Sequence, residues 1–207
     1  NSAKWKQNII TVKSNPVFNA GSIAVLKGTL APNSAIIKQS AATESLLIHE
    51  GRAVVFEGLE DLANRIDRDD LDVTKDDVLV LKSIGPKGGP GMPEAGLIPI
   101  PKKLAKQGVK DMVRISDGRM SGTASGTIIL HVTPESHENG PLAIVENGDL
   151  IKLDVPKRKI DLIISEEEIT ERLLKRKELS IRRRGYNKIY MEHVTQADKG
   201  VDFDFLI

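Results

Sequence analysis

Short apolar runs rich in Val and Ile, each cut off by Gly, Pro or Asn, recur along most of the chain. Residues 23–26, 35–38 and 52–56 have the length and composition of strands, with Gly28 and Pro32-Asn33 as turns between the first two. Residues 77–81, 111–115, 127–132 and 159–164 continue the series. Residues 142–145 and 150–155, joined by Glu146-Asn147-Gly148-Asp149, read as a hairpin. Helical spacing is rarer. Leu59, Leu62, Ala63 and Ile66 fall on one helix face. A short helix is expected from Pro101 to Gln107, stopped by Gly108. Ser165 and Glu168 make a capping box that opens a helix running to about Glu178, and a short helix follows around Tyr186 to Gln196. Many short strands with few helices predict an α+β chain, a β/β/α arrangement around a barrel-like mixed sheet flanked by helices. Regular βαβ alternation and a G-x-G-x-x-G turn are both missing, which argues against a doubly wound dinucleotide fold.

Length and charge narrow the function. The 207 residues are enough for one domain with a real core. Lys plus Arg is 30 and Asp plus Glu is 29, so the net charge of +1 gives no global reason to expect nucleic acid or an anionic membrane as partner. Aromatic residues are only 3%, poor material for stacking bases. The basic run Lys175-Arg176-Lys177 with Arg182-Arg183-Arg184 is interleaved with Glu171 and Glu178 and reads as a solvated face. No apolar run approaches the roughly 20 residues of a membrane span. Cysteine is absent, so this chain cannot ligate an iron–sulfur cluster or a Cys-bound zinc, nor form a disulfide; a cytoplasmic location is the expectation. The first residue is Asn1, and the chain is expected to be a piece of something longer or one half of a split enzyme.

Two loops follow apolar runs, and both have the composition of a site. The first, GPKGGPGMPE at 85–94, is too dense in Gly and Pro for regular structure and is not a Walker A loop. Its Glu94 follows Pro93. Two readings fit: a residue complementing a helix dipole, or a carboxylate in a loop-lined pocket able to bind Mg²⁺. The second, at 117–126, holds Ser121 between Met120 and Gly122. Here too a polar turn and an activated hydroxyl both fit, and activation needs a nearby cation, base or cluster of N–H donors. The loop is not G-x-S-x-G. His49 and His137 fall at loop or surface positions. His131 lies in a strand as a packed, hydrogen-bonded core residue, and His193 lies on the last helix in a structural role. No His/Asp/Glu spacing makes a self-contained metal site.

Taken together, GPKGGPGMPE at 85–94, SDGRMSGT at 116–123, HVTPE at 131–135 and GPLAIV with NGD at 140–149 resemble the C-terminal domain of the dihydroxy-acid/6-phosphogluconate dehydratase family, over essentially the whole chain and in consistent order. The Ala124 that follows Met120-Ser121-Gly122-Thr123, and the tail from Arg184-Gly185-Tyr186 through His193 to Leu206, are similar to the aldonate branch (gluconate, arabinonate, xylonate). The resemblance implies that residues 1–207 form a swivelling β/β/α domain, with 185–207 as its terminal helix and tail. That domain would pack on an N-terminal domain outside this chain. It implies dehydration of a sugar acid to a 2-keto-3-deoxy acid, with Mg²⁺ and an iron–sulfur cluster whose cysteines lie on the N-terminal domain. Ser121 matches the base, Glu94 the Mg²⁺ ligand and Thr123 a substrate contact, while His193 matches the pocket wall more weakly. A homo-oligomer of full-length chains is implied, and the domain alone is expected to fold without catalysing. The alternatives are the branched-chain pathway's dihydroxy-acid dehydratase and a stand-alone binding module of the same fold; retention of both Glu94 and Ser121 argues against the latter.

Overall fold

The computed structural model describes residues 9–16, 21–94, 97–176 and 184–206. Its strands are β1 (Ala24–Leu26), β2 (Ser34–Ile37), β3 (Ile48–Phe56), β4 (Val78–Leu81), β5 (Arg114–Ser116), β6 (Ile128–Thr133), β7 (Leu150–Asp154) and β8 (Lys159–Leu162). They form one sheet in the order β1-β2-β6-β5-β4-β3-β7-β8. The central strands β6, β5, β4 and β3 run parallel, while β1–β2–β6 and β3–β7–β8 are antiparallel. Just past β1 the chain reaches the far edge. Lys27 N–H donates to Arg158 O at 3.0 Å and Ile160 N–H to Lys27 O at 3.2 Å. That contact brings the sheet round into a nearly closed barrel, the expected α+β architecture, and leaves little exposed edge.

The period-2 pattern explains the two cores. Val78 and Val80 of β4 point inward, with Val55, Ile115, Ile129 and Leu153, to fill the barrel. Leu79 and Leu81 point outward, with Val54 and Phe56, and are covered by helices α1 (Leu59–Arg65) and α2 (Lys102–Lys106) through Leu62, Ile66 and Leu104. A strand buried on both faces reads as continuous apolar sequence, as β4 does. Helix α3 (Glu166–Lys175) begins at the expected cap, Glu168 N–H donating to Ser165 Oγ at 3.1 Å. It ends at Lys175, with Arg176 already extended, short of the forecast Glu178; Lys177, Glu178, Arg182 and Arg183 lie outside the described residues. Helix α4 (Tyr186–His193) ends at Val194, short of Gln196. Among the described residues no helix is long and apolar enough to cross a membrane.

One expectation fails. Residues 142–145 are not a strand: Pro141–Ile144 is a 3-10 turn that buries Leu142 and Ile144. Pro141 withholds a ladder donor, and the Ala143 carbonyl is taken by Lys82 Nζ at 3.1 Å. Strand β7 pairs instead with β3 and with β8, so the hairpin is β7–β8. His49, expected at a loop or surface position, lies partly exposed within β3.

Candidate active site

Three neighbouring parallel strands, β4, β5 and β6, open at their C-terminal ends into the segments singled out by sequence. Such strand ends are where ligands bind in sheets of this kind. Residues 83–94 follow β4, residues 117–126 follow β5, and the cis peptide Thr133-Pro134 with Glu135 follows β6.

Buried carboxylates fix the roots of these loops. Asp117, fully buried, accepts from Ile84 N–H at 3.0 Å, Ser83 N–H at 3.2 Å and Ser136 N–H at 2.9 Å, so one side chain of the second loop holds the exits of both other strands. Glu135, also fully buried, accepts from Lys87 N–H at 2.9 Å, Gly88 N–H at 3.0 Å and the Gln196 amide at 2.7 Å. Burial pushes its carboxyl above the usual range, against the pull of those donors. Asp111 ties the exit of the second loop. It accepts from Thr127 N–H at 2.9 Å, from the Thr127 and Thr43 hydroxyls at 2.8 and 2.7 Å, and from Arg114 Nη2 at 2.8 Å. Burial opposes ionisation there, but the Thr43 and Thr127 donors and the Arg114 charge prevail and hold the Asp111 carboxyl low. The loops also touch closely. A Cβ on Gly118 would lie 2.4 Å from Ile84 Cδ1, so a larger residue there would force the Ile84 side chain to move.

The tips are open. Glu94 and Arg119 pair their backbones as an isolated bridge, and Arg119 Nη2 donates to Glu94 Oε1 at 3.0 Å. Both side chains are about half exposed, at 46% for Arg119 and 51% for Glu94. Two residues beyond Arg119, Ser121 Oγ lies 3.0 Å from Thr123 Oγ1. Lys38, just past β2, donates to the Gly122 carbonyl at 2.8 Å. Beneath this tip lies a cavity of about 170 Å³ lined by Ser121, Lys38, His131 and apolar side chains including Ile36, Ile128 and Leu130.

The structure therefore joins Ser121 to Thr123 directly, while Glu94 is tied to the same loop through Arg119, two residues before Ser121. His193 is not brought to them: it ends α4, its Nδ1 is 2.9 Å from Asp204 Oδ1, and its ring meets Phe205 edge-on. His131 is not the hydrogen-bonded core residue expected. Its pairing register slips between Ser34↔Thr133 and Ile36↔Leu130, a bulge that puts His131 at φ 52°, and its buried Nδ1 has no partner. Burial, then Arg119, lowers its pKa. His137 is partly buried in the 3-10 turn Ser136–Glu138, and its Nδ1 also has no partner. Sequence reading missed Asp111, Asp117, Glu135 and Lys38; the signal for the first two was a lone acidic residue flanking a buried strand. A larger cavity, about 620 Å³, opens beside Lys82 and Arg172, whose charges are spent on Glu57 and Asp149.

Among the described residues no three His, Cys, Asp or Glu side chains converge on a metal position. Glu94 offers a single carboxylate, with Oε1 on Arg119. That suits Mg²⁺, which keeps waters and takes one or two protein carboxylates. It does not suit an iron–sulfur cluster, for which this chain has no thiolate.

Residues 8–201 match the model of the dihydroxy-acid/6-phosphogluconate dehydratase C-terminal domain. The chain is 47% identical over 203 residues to the L-arabinonate dehydratase of Rhizobium leguminosarum bv. trifolii, covering 98% of this chain and 35% of that protein. It is 44% identical over 206 residues to the 6-deoxy-6-sulfo-D-gluconate dehydratase of Pseudomonas putida, covering 98% and 36%. The dihydroxy-acid dehydratase of Carboxydothermus hydrogenoformans is 41% identical over 206 residues, with the same 98% and 36%. The chain thus spans little more than a third of the length of the curated relatives it matches. With the two loops, their order and the barrel that carries them in agreement, the chain belongs to the dihydroxy-acid/6-phosphogluconate dehydratase family and is similar throughout to its C-terminal domain.

Proposed function

We propose that this chain is the C-terminal domain of a hydro-lyase that removes water from a sugar acid, an aldonate, to give a 2-keto-3-deoxy acid. The observation that carries this reading is the meeting of the Ser121 and Glu94 loops through Arg119, supported by similarity to two dehydratases of sugar acids.

Ser121 is the base. Its deprotonated Oγ takes the C2 proton as that C–H bond breaks. The C3–O bond breaks as its hydroxyl takes that proton and leaves as water, restoring the base, and the resulting enol becomes the ketone as its O–H proton is replaced by one at C3. An ordinary serine hydroxyl is too weak an acid for this, so it must be held near positive charge and donors. Thr123, 3.0 Å away, donates to the deprotonated oxygen. Arg119 holds the Glu94 carboxylate by one oxygen, Oε1, at 3.0 Å. Glu94 would be one of the ligands of Mg²⁺, which would supply a Lewis acid for the substrate's carboxylate end. Cysteines for an iron–sulfur cluster have to come from outside this chain, from an N-terminal domain packed over the two loops, so the domain by itself is not expected to catalyse.

The test is an assay of the full-length protein with L-arabinonate, D-xylonate, D-gluconate and 2,3-dihydroxyisovalerate, following keto-acid release. Product from an aldonate is expected; product from none of the four would overturn the reading. Turnover of dihydroxyisovalerate alone would favour the branched-chain role, to which the apolar wall of Ile36, Ile128 and Leu130 is also suited. In the full-length enzyme Ser121→Ala should cost at least about 10³-fold in kcat with Mg²⁺ and iron content unchanged; near-normal turnover would sink the base assignment. Glu94→Gln should raise the Mg²⁺ concentration needed for half-maximal activity by about tenfold or more, and an unchanged Mg²⁺ dependence would count against it as a ligand.

A further inference from the structure

Among the described residues, the stretch 121–124 that carries Ser121 is hydrogen-bonded from outside at one point. Ser121 and Thr123 bond each other, and Ala124 N–H donates to Ser121 O at 3.1 Å, all within the tip. From the rest of the fold, among the described residues, residues 121–124 receive only the Lys38 ammonium, 2.8 Å from the Gly122 carbonyl. Lys38 comes from a different part of the chain, 84 residues away, at the point where backbone leaves β2 for the next turn. It makes no ion pair among the described residues, whereas Arg119, the other cation near the tip, is committed to Glu94. Lys38 also lines the cavity that Ser121 and His131 line.

A donor fixed on the Gly122 carbonyl sets the peptide plane between Gly122 and Thr123, and through it the placement of Thr123, whose hydroxyl lies 3.0 Å from Ser121 Oγ. It also puts a permanent positive charge on the wall of the cavity that Ser121 lines, where a hydroxyl has to lose a proton. We infer that Lys38 is a positioning residue for proton transfer at Ser121, holding the tip through the Gly122 carbonyl and contributing a fixed cation on the wall of the cavity that the base lines. This rests on the reading of Ser121 as the base.

The experiment uses the full-length enzyme with L-arabinonate, or whichever aldonate it turns over best. Lys38→Met should lower kcat by on the order of 10–100-fold, the scale of a misplaced reacting group, with KM changed by less than about threefold, since substrate binding is not its task. Lys38→Arg should recover most of the loss, because it restores both charge and donor. In Lys38→Ala, added ethylammonium should restore activity several-fold while doing nothing for Ser121→Ala. A Lys38→Met enzyme within twofold of the parent would overturn the inference. So would a loss that neither Arg nor ethylammonium recovers, which marks a purely structural lysine. If Ser121→Ala keeps its turnover, the base assignment fails and the role of Lys38 with it. If Ser121→Ala is inactive and Lys38→Met is unimpaired, only the role of Lys38 fails.

Discussion

The roots and the tips of the two loops are built by opposite rules. At the roots, carboxylates are buried and saturated with donors: Asp117 takes three backbone N–H groups, and Asp111 and Glu135 take backbone and side-chain donors together. At the tips, Glu94 and Arg119 are half exposed, and Ser121 is tied by little more than Thr123. Rigid bases under open ends place reactive groups accurately while leaving them within reach of a ligand and of a covering domain. The difference also separates two kinds of acidic residue that look alike in sequence: those that serve the backbone and the one with an oxygen to offer.

Changes at the roots should cost stability, and changes at the tips should cost activity alone. Asp111→Ala would leave the Arg114 guanidinium, whose side chain is 5% exposed, without its partner. Breaking a buried pair that way costs about 3–5 kcal/mol. Amide exchange in the intact protein should show it as lost protection at Thr127, and full protection would contradict the anchoring role. Acid should act in the same direction. The folded pKa of Asp111 is lowered, so its contribution is present above the unfolded value near 4 and is lost as pH falls through the folded one. Asp117→Ala comes next, at about 2–3 kcal/mol for stranded buried donors, read at the amides of Ser83, Ile84 and Ser136. If only one of these three opened, Asp117 would not be the common tie of the strand ends. Smallest in stability is Thr123→Val, within about 0.5 kcal/mol as for an exposed position. Its turnover should nevertheless drop about tenfold through loss of the donor to Ser121; a stability loss larger than the activity loss would erase the distinction between root and tip.

Sequence carried most of the strand positions, helix α1, the cap of α3 and both loops, because each has a local signature: period, capping pair, or Gly/Pro density. It carried the identity of Ser121 and Glu94 only through a resemblance; composition and spacing by themselves favour a polar turn and a dipole partner. The anchors were not legible. Asp117 acts on residues 33 or more positions away along the chain for two of its bonds, and Lys38 acts 84 away. Nothing local distinguishes them from surface charges until the sheet order puts them in place. The same holds for His131, whose bulge depends on register with β2. The 3-10 turn at Pro141–Ile144 was misread because its apolar residues are buried by tertiary packing rather than by a strand period.

Asp117 belongs to the second loop by sequence and to the first by function. Loop exchange, a common route to altered substrate preference, would meet this directly. A donor segment spliced in at 117–126 without a matching aspartate would slacken the neighbouring segment that carries Glu94. The two segments are one heritable unit, to be transplanted or diversified together.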